Sequence, residues 1–117
     1  MNSPENNLRI DYIEFPVSDV NKTKAFYAEI LGWQFEDYGE DHTCFHDGRL
    51  AGGFYTSPEV KTGGPLVVIY TTDIEGMQTR VAAAGSKIVK PIFEFPGGRR
   101  FHFVDPSGHE LAIWTDK

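Results

Sequence analysis

The sequence predicts an α+β fold: two βαβββ modules forming a curved mixed sheet with a concave cavity. Three observations lead there. A strand, a helix and three short strands follow one another twice along 117 residues. Helix-start aspartates and helix-end glycines recur in matched places, Asp19 with Asp73 and Gly32 with Gly85. A polar, aperiodic stretch over residues 57–65 separates the two copies. The repeat lies in pattern more than in letters. A helix covers only one face of each module's sheet. Two modules side by side therefore leave a concave side that suits a small molecule.

The elements follow in order. Residues 1–7 are polar and read as a frayed tail. Residues 8–115 read as one domain, with modules 8–56 and 66–115 joined by the linker 57–65. Residues 10–17 (IDYIEFPV) form a strand with Tyr12, Glu14 and Pro16 on one side and Ile13, Phe15 and Val17 on the other. Ser18 and Asp19 are helix N-cap types, and Val20, Phe26, Ile30 and Leu31 keep helical spacing up to Gly32. Three strands follow over 33–38, 43–46 and 49–55, with turns at Gly39 and at Asp47-Gly48. The second module opens with a β-branched strand over 66–71. Thr72 to Glu75 reads as a T-x-x-E capping box, and Gly85 ends the helix. Strands over 87–93, 99–104 and 110–115 complete it, with Asp105-Pro106-Ser107-Gly108 as a type I turn between the last two.

Composition narrows the function classes. There are 11 Lys+Arg against 17 Asp+Glu, a net charge of −6. That balance argues against nonspecific nucleic-acid binding, which needs a basic face. No apolar run approaches the roughly 20 residues of a membrane span, and the start lacks an apolar signal core. The lone Cys44 excludes an intrachain disulfide, so a cytoplasmic setting is expected.

The segment IEFPVSDVNKTKAFYAEILGW (13–33) resembles the opening module of the vicinal oxygen chelate superfamily, which includes glyoxalase I, bleomycin-resistance proteins and extradiol dioxygenases. TTDIEGMQTRVAAAG (71–85) and FVDPSGHELAIW (103–114) resemble its closing module. The resemblance covers about residues 8–115. It implies a divalent-metal site with one ligand on the first and last strand of each module. Those ligand positions land on Tyr12, Gly52, Leu66 and Ala112. None is a usual ligand, and three have no donor side chain, whereas a divalent ion needs several O or N donors at one point. A one-residue shift brings in Asp11, Ile13, Ala51, Gly53, Pro65, Val67, Leu111 and Ile113, which does not rescue the site. The expectation is therefore no standard metal and no other cofactor. The resemblance also implies a homodimer, sometimes with modules exchanged between chains.

Strand parity suggests what lines the cavity instead. If Tyr12 faces it, so does Glu14; if Ala112 faces it, so do Glu110 and Trp114. A four-residue turn at 105–108 would pair Val104 with His109. That pairing turns Phe101 and Phe103 inward and puts His102 on the helix side. The repeat adds Leu50, Gly52 and Phe54. The candidate ligand-binding residues are thus Tyr12, Glu14, Phe54, Phe101, Phe103, Glu110 and Trp114. An aromatic lining with two carboxylates suits a flat or cationic organic ligand. Tyr12 reads either as a general acid or as a packed ring. His46 and His109 read as surface residues, and Cys44 as a small buried one. Gly97-Gly98-Arg99-Arg100 is either a hairpin loop with solvated arginines or a site for an anionic group. No residue stands out as catalytic. The leading reading is a metal-free binder of a small organic ligand. The alternative is a metal-dependent lyase, isomerase or dioxygenase with a site displaced onto Glu14, Glu110 and a nearby His. A third is a scaffold module with a closed cavity.

Overall fold

The computed structural model describes residues 4–117. Part of the expected tail lies outside that range; within it, Pro4–Asn6 makes a single 3-10 turn. The first module runs β1 (Tyr12–Val17), α1 (Val20–Leu31), β2 (Gln34–Asp37), β3 (His42–His46) and β4 (Ala51–Thr56). The second runs β5 (Val67–Tyr70), α2 (Ile74–Ala83), β6 (Ile88–Phe95), β7 (Gly98–Val104) and β8 (Glu110–Thr115). The strands form two four-stranded sheets rather than one continuous sheet, in the orders β1-β4-β3-β2 and β5-β8-β7-β6. Each has one parallel pair, β1 with β4 and β5 with β8, and is antiparallel elsewhere.

Local chemistry accounts for the helix ends. The Asp19 carboxylate accepts from the Lys22 N–H at 3.0 Å, and Gly32 ends α1 at φ 68°. In α2 the cap is Asp73 rather than Thr72, its carboxylate accepting from the Gly76 N–H at 3.0 Å. Gly76 leaves room for that carboxylate: a Cβ there would collide with it.

One core joins the modules. Tyr27, fully buried, stacks between Trp33 at 5.0 Å and Phe54 at 5.1 Å. Phe26 crosses to Phe103 of the second sheet at 6.2 Å. The 105–108 turn forms as expected, with the Gly108 N–H donating to the Asp105 carbonyl at 3.0 Å. It is also the clasp between modules. Buried Asp105 accepts from the Tyr27 hydroxyl at 2.9 Å and from the Ser107 and His109 N–H groups at 2.9 Å each. The Ser18 N–H donates to the Ser107 hydroxyl at 3.0 Å, and His109 Nε2 donates to the Pro16 carbonyl at 2.7 Å. His109 is therefore buried, contrary to its surface expectation, while His46 is exposed.

Candidate functional site

Both helices pack on the side of the sheets that carries this core. The opposite, helix-free faces carry the candidate chemistry. On the first sheet the pairings Tyr12 with Ala51, Glu14 with Gly53 and Cys44 with Gly53 put Tyr12, Glu14, Cys44, His42 and Tyr55 on the helix-free face. On the second, His102 pairs with Ala112, Arg100 with Trp114, and Tyr70 with Trp114. The helix-free face there carries Arg100, His102, Glu110, Ala112, Trp114 and Tyr70.

The expected faces of Tyr12, Glu14, Glu110 and Trp114 hold, and those of Phe54, Phe101 and Phe103 do not. All three phenylalanines are fully buried in the core. The β7–β8 loop is the reason. Val104 pairs with Glu110, not His109, so five residues rather than four lie between the strands. A one-residue slip exchanges every side chain between faces. His102 and Arg100 therefore stand where Phe103 and Phe101 were expected. The same slip affects β4. Four residues separate the paired His46 and Ala51, one fewer than in the second module, so Gly53 and not Gly52 corresponds to Ala112. Gly52 faces the core, where a Cβ would strike the Phe45 ring. Leu50 lies just ahead of β4, in the turn.

The positions that the resemblance assigns to a metal are thus Tyr12, Gly53, Leu66 and Ala112. They do not fit the ion. Gly53, Leu66 and Ala112 offer no side-chain donor, and Tyr12 fills the space above Gly53: a Cβ at residue 53 would collide with its hydroxyl. Among the described residues, no three His, Cys, Asp or Glu side chains converge in a way that could hold a metal ion.

What the first face carries is a hydrogen-bonded cluster. The Tyr12 hydroxyl lies 3.4 Å from His42 Nε2 and 3.6 Å from the Cys44 sulfur. Partial desolvation, then the Cys44 contact and the charge of Glu14, push its pKa above the ordinary phenol range. Tyr12 stays protonated near neutral pH and is a hydrogen-bond donor rather than a base. Cys44 is half-buried within this cluster.

A cleft of about 540 Å³ runs between β1 and the second sheet, beneath the linker, and takes in Glu14, Pro16, Leu66, His102 and Glu110. It brings the two expected carboxylates to one site. His102 Nδ1 sits 2.7 Å from the Glu110 carboxylate, and the imidazole is buried while the carboxylate is half-exposed. The sequence reading missed His102 through the β7 slip; alternation counted from a five-residue loop would have found it. A larger, mostly apolar cleft of about 980 Å³ opens between the ends of α1, α2 and β5, with Tyr70 and Trp114 at its rim.

The Gly97–Arg100 segment is not a solvated loop. Gly98 to Arg100 belong to β7. Arg99 reaches α2 and pairs with Glu75 at 2.6 Å, while Arg100 stays on the helix-free face.

Two βαβββ modules, each with a parallel first-to-last strand pair and a helix-free face, define a class of small two-module α+β proteins. The chain belongs to the glyoxalase/bleomycin resistance protein/dioxygenase superfamily, whose family model matches residues 9–113. Solved structures agree on the fold. A glyoxalase/bleomycin resistance protein/dioxygenase family enzyme from Burkholderia phytofirmans superposes with a TM-score of 0.83 at 16% identity, covering 92% of this chain and 100% of its own. A fosfomycin resistance protein from Listeria monocytogenes, solved with Mn(II) and a dihydroxypropylphosphonic acid, gives 0.80 at 20% identity over 92% and 89%. A lactoylglutathione lyase from Agrobacterium tumefaciens gives 0.72 at 15% identity over 97% and 96%. No curated protein matches the sequence. Among the described residues, no helix is long and apolar enough to cross a membrane.

Proposed function

We propose that this superfamily member binds a small organic molecule in the cleft between its modules, without the divalent metal of its relatives. One observation carries the reading: the cleft is open and takes in Glu14, His102 and Glu110, while Gly53, Leu66 and Ala112 supply no ligand atom and Tyr12 fills the remaining position. Glu14, the Glu110–His102 pair and the Tyr12 hydroxyl supply acceptors and donors that orient a guest. The displaced metal site of the alternative reading gains no support: Glu14, Glu110 and His102 line one cleft, but among the described residues no three such side chains converge closely enough to hold an ion.

A second copy of the chain completes the site. Tyr12, Tyr55, Leu66, Val68 and Tyr70 all lie on the helix-free faces or the β5 edge and are 37% to 47% exposed. Apolar surface of this extent favours a partner, and the likeness to family members favours a homodimer. The free Cys44 thiol favours a reducing, cytoplasmic setting.

A thermal-shift screen of small organic compounds, run with and without EDTA, tests the reading. The expected result is at least one stabilising compound whose shift is indifferent to EDTA and is reduced by Glu14→Gln. Shifts seen only with added divalent ion would overturn it.

A further inference from the structure

The second helix-free face holds a cation with no counter-ion. Arg100 lies over the Phe93 ring at 5.4 Å and over the Phe95 ring at 5.2 Å. Its strand partner is Trp114, which in turn approaches Phe95 at 6.3 Å and Tyr70 at 5.4 Å. The guanidinium is thus set in a frame of rings that hold it by cation–π contact and accept none of its N–H groups in the sheet plane. Glu94, between the two rings, lies opposite Arg99 and on the other face of β6, and three further carboxylates have other partners. Glu75 pairs with Arg99, Glu110 with His102, and Asp116 accepts from the Tyr70 hydroxyl. A chain with a net charge of −6 has carboxylates to spare, yet none meets this arginine.

Two buried side-chain nitrogens among the described residues have no hydrogen-bond partner: Arg100 Nε and His102 Nε2. They stand two residues apart on the same face of β7, and Phe93 touches both side chains. Buried donors are normally satisfied. Arg100 Nε can only donate, so it marks the place of a missing acceptor.

We propose that Arg100 is the anchor for an anionic aromatic ligand, a planar aryl carboxylate whose acid group meets the guanidinium and whose ring lies against Trp114. The guanidinium fork matches a carboxylate with two parallel hydrogen bonds, and the flanking rings exclude water and strengthen them. His102 donates its Nδ1–H to Glu110, so Nε2 of the neutral ring is an acceptor and meets the ligand only through a bridging water that donates to it. The ligand class is the reverse of the cationic guest expected from Glu14 and Glu110. The inference rests on the small-molecule reading above and extends its guest out of the cleft: His102 lines the cleft, and Arg100 and Trp114 lie beside it on the same helix-free face.

Calorimetric titration with naphthoate, naphthamide and cyclohexanecarboxylate tests it on the wild-type protein. Naphthoate is expected to bind about tenfold or more tightly than the neutral amide and than the non-aromatic acid. Arg100→Gln should abolish the preference for acid over amide while leaving the amide affinity unchanged; Arg100→Lys should retain part of it. Melting temperatures of both variants confirm that they fold. Equal affinity of acid and amide for the wild type, acid binding untouched by Arg100→Gln, or no binding of naphthoate overturns the inference. Amide binding without acid preference overturns it alone and leaves the small-molecule reading standing.

Discussion

The two modules share a backbone and a core pattern, and differ in what their helix-free faces carry. The first face presents phenols, a thiol and an acid: Tyr12, Tyr55, Cys44 and Glu14 over the glycine floor of residue 53. The second presents a cation, an imidazole bonded to a carboxylate, and rings: Arg100, His102 with Glu110, Phe93 and Trp114. On the core side they converge, with Phe15 and Phe54 in one sheet and Phe101, Phe103 and Ile113 in the other. Core positions must fill space against a helix, so the repeat persists there. Helix-free positions escape that packing constraint, and there the repeat has diverged.

The sharpest way to break the comparison is to truncate one phenylalanine on each side of the second sheet. Phe101→Ala empties a fully buried core site and should cost about 3–5 kcal/mol in chemical denaturation. Phe93→Ala, on the helix-free face, should cost far less. Equal losses would contradict the face assignment. Next in size, Gly53→Ala forces a Cβ into the Tyr12 hydroxyl and should cost about 1–3 kcal/mol, as overpacking does. In a Tyr12→Phe background the penalty should shrink, and a double-mutant cycle measures the coupling. Gly52→Ala, which strikes the Phe45 ring and the Ile13 carbonyl instead, should gain nothing from Tyr12→Phe.

The clasp between the modules is tested by pH. Burial, and then the neighbouring Asp105, hold the Tyr27 pKa well above the ordinary phenol value. The unfolded chain releases that proton at about pH 10 while the folded chain keeps it, so stability is full below that pH and falls as pH rises above it. Tyr27→Phe should lower stability at neutral pH by about 1–3 kcal/mol, since Asp105 loses a buried donor, and should flatten the alkaline decline. A decline of unchanged slope would mean other groups carry it. The smallest expected effect is Arg99→Gln. Its pair with Glu75 is an exposed one, so the melting temperature should hardly move, in contrast to the ligand effect of its neighbour Arg100.

Much of the fold was legible in the sequence because its signals are local. Asp19 and Gly32 mark α1, alternation marks β1 and β8, and the 105–108 turn carries its own signature. Register was not legible, because one residue of loop length decides it. Four residues between His46 and Ala51 against five between Val104 and Glu110 offset the repeat, and this moved Phe54, Phe101 and Phe103 to the wrong face. The missing metal donors were legible regardless, since neither register supplies a ligand set. Buried His109 was not, because its partner, the Pro16 carbonyl, lies 93 residues away in the chain.

The central claim is that the first module's Tyr12–Gly53 arrangement has closed the family's metal position and left an organic-ligand site. Elemental analysis of protein purified from cells supplied with manganese, iron, nickel and zinc tests it most directly. The account predicts far less than one ion per chain. One tightly held divalent ion per chain, retained through desalting and lost in Glu14→Gln or Glu110→Gln, would contradict it.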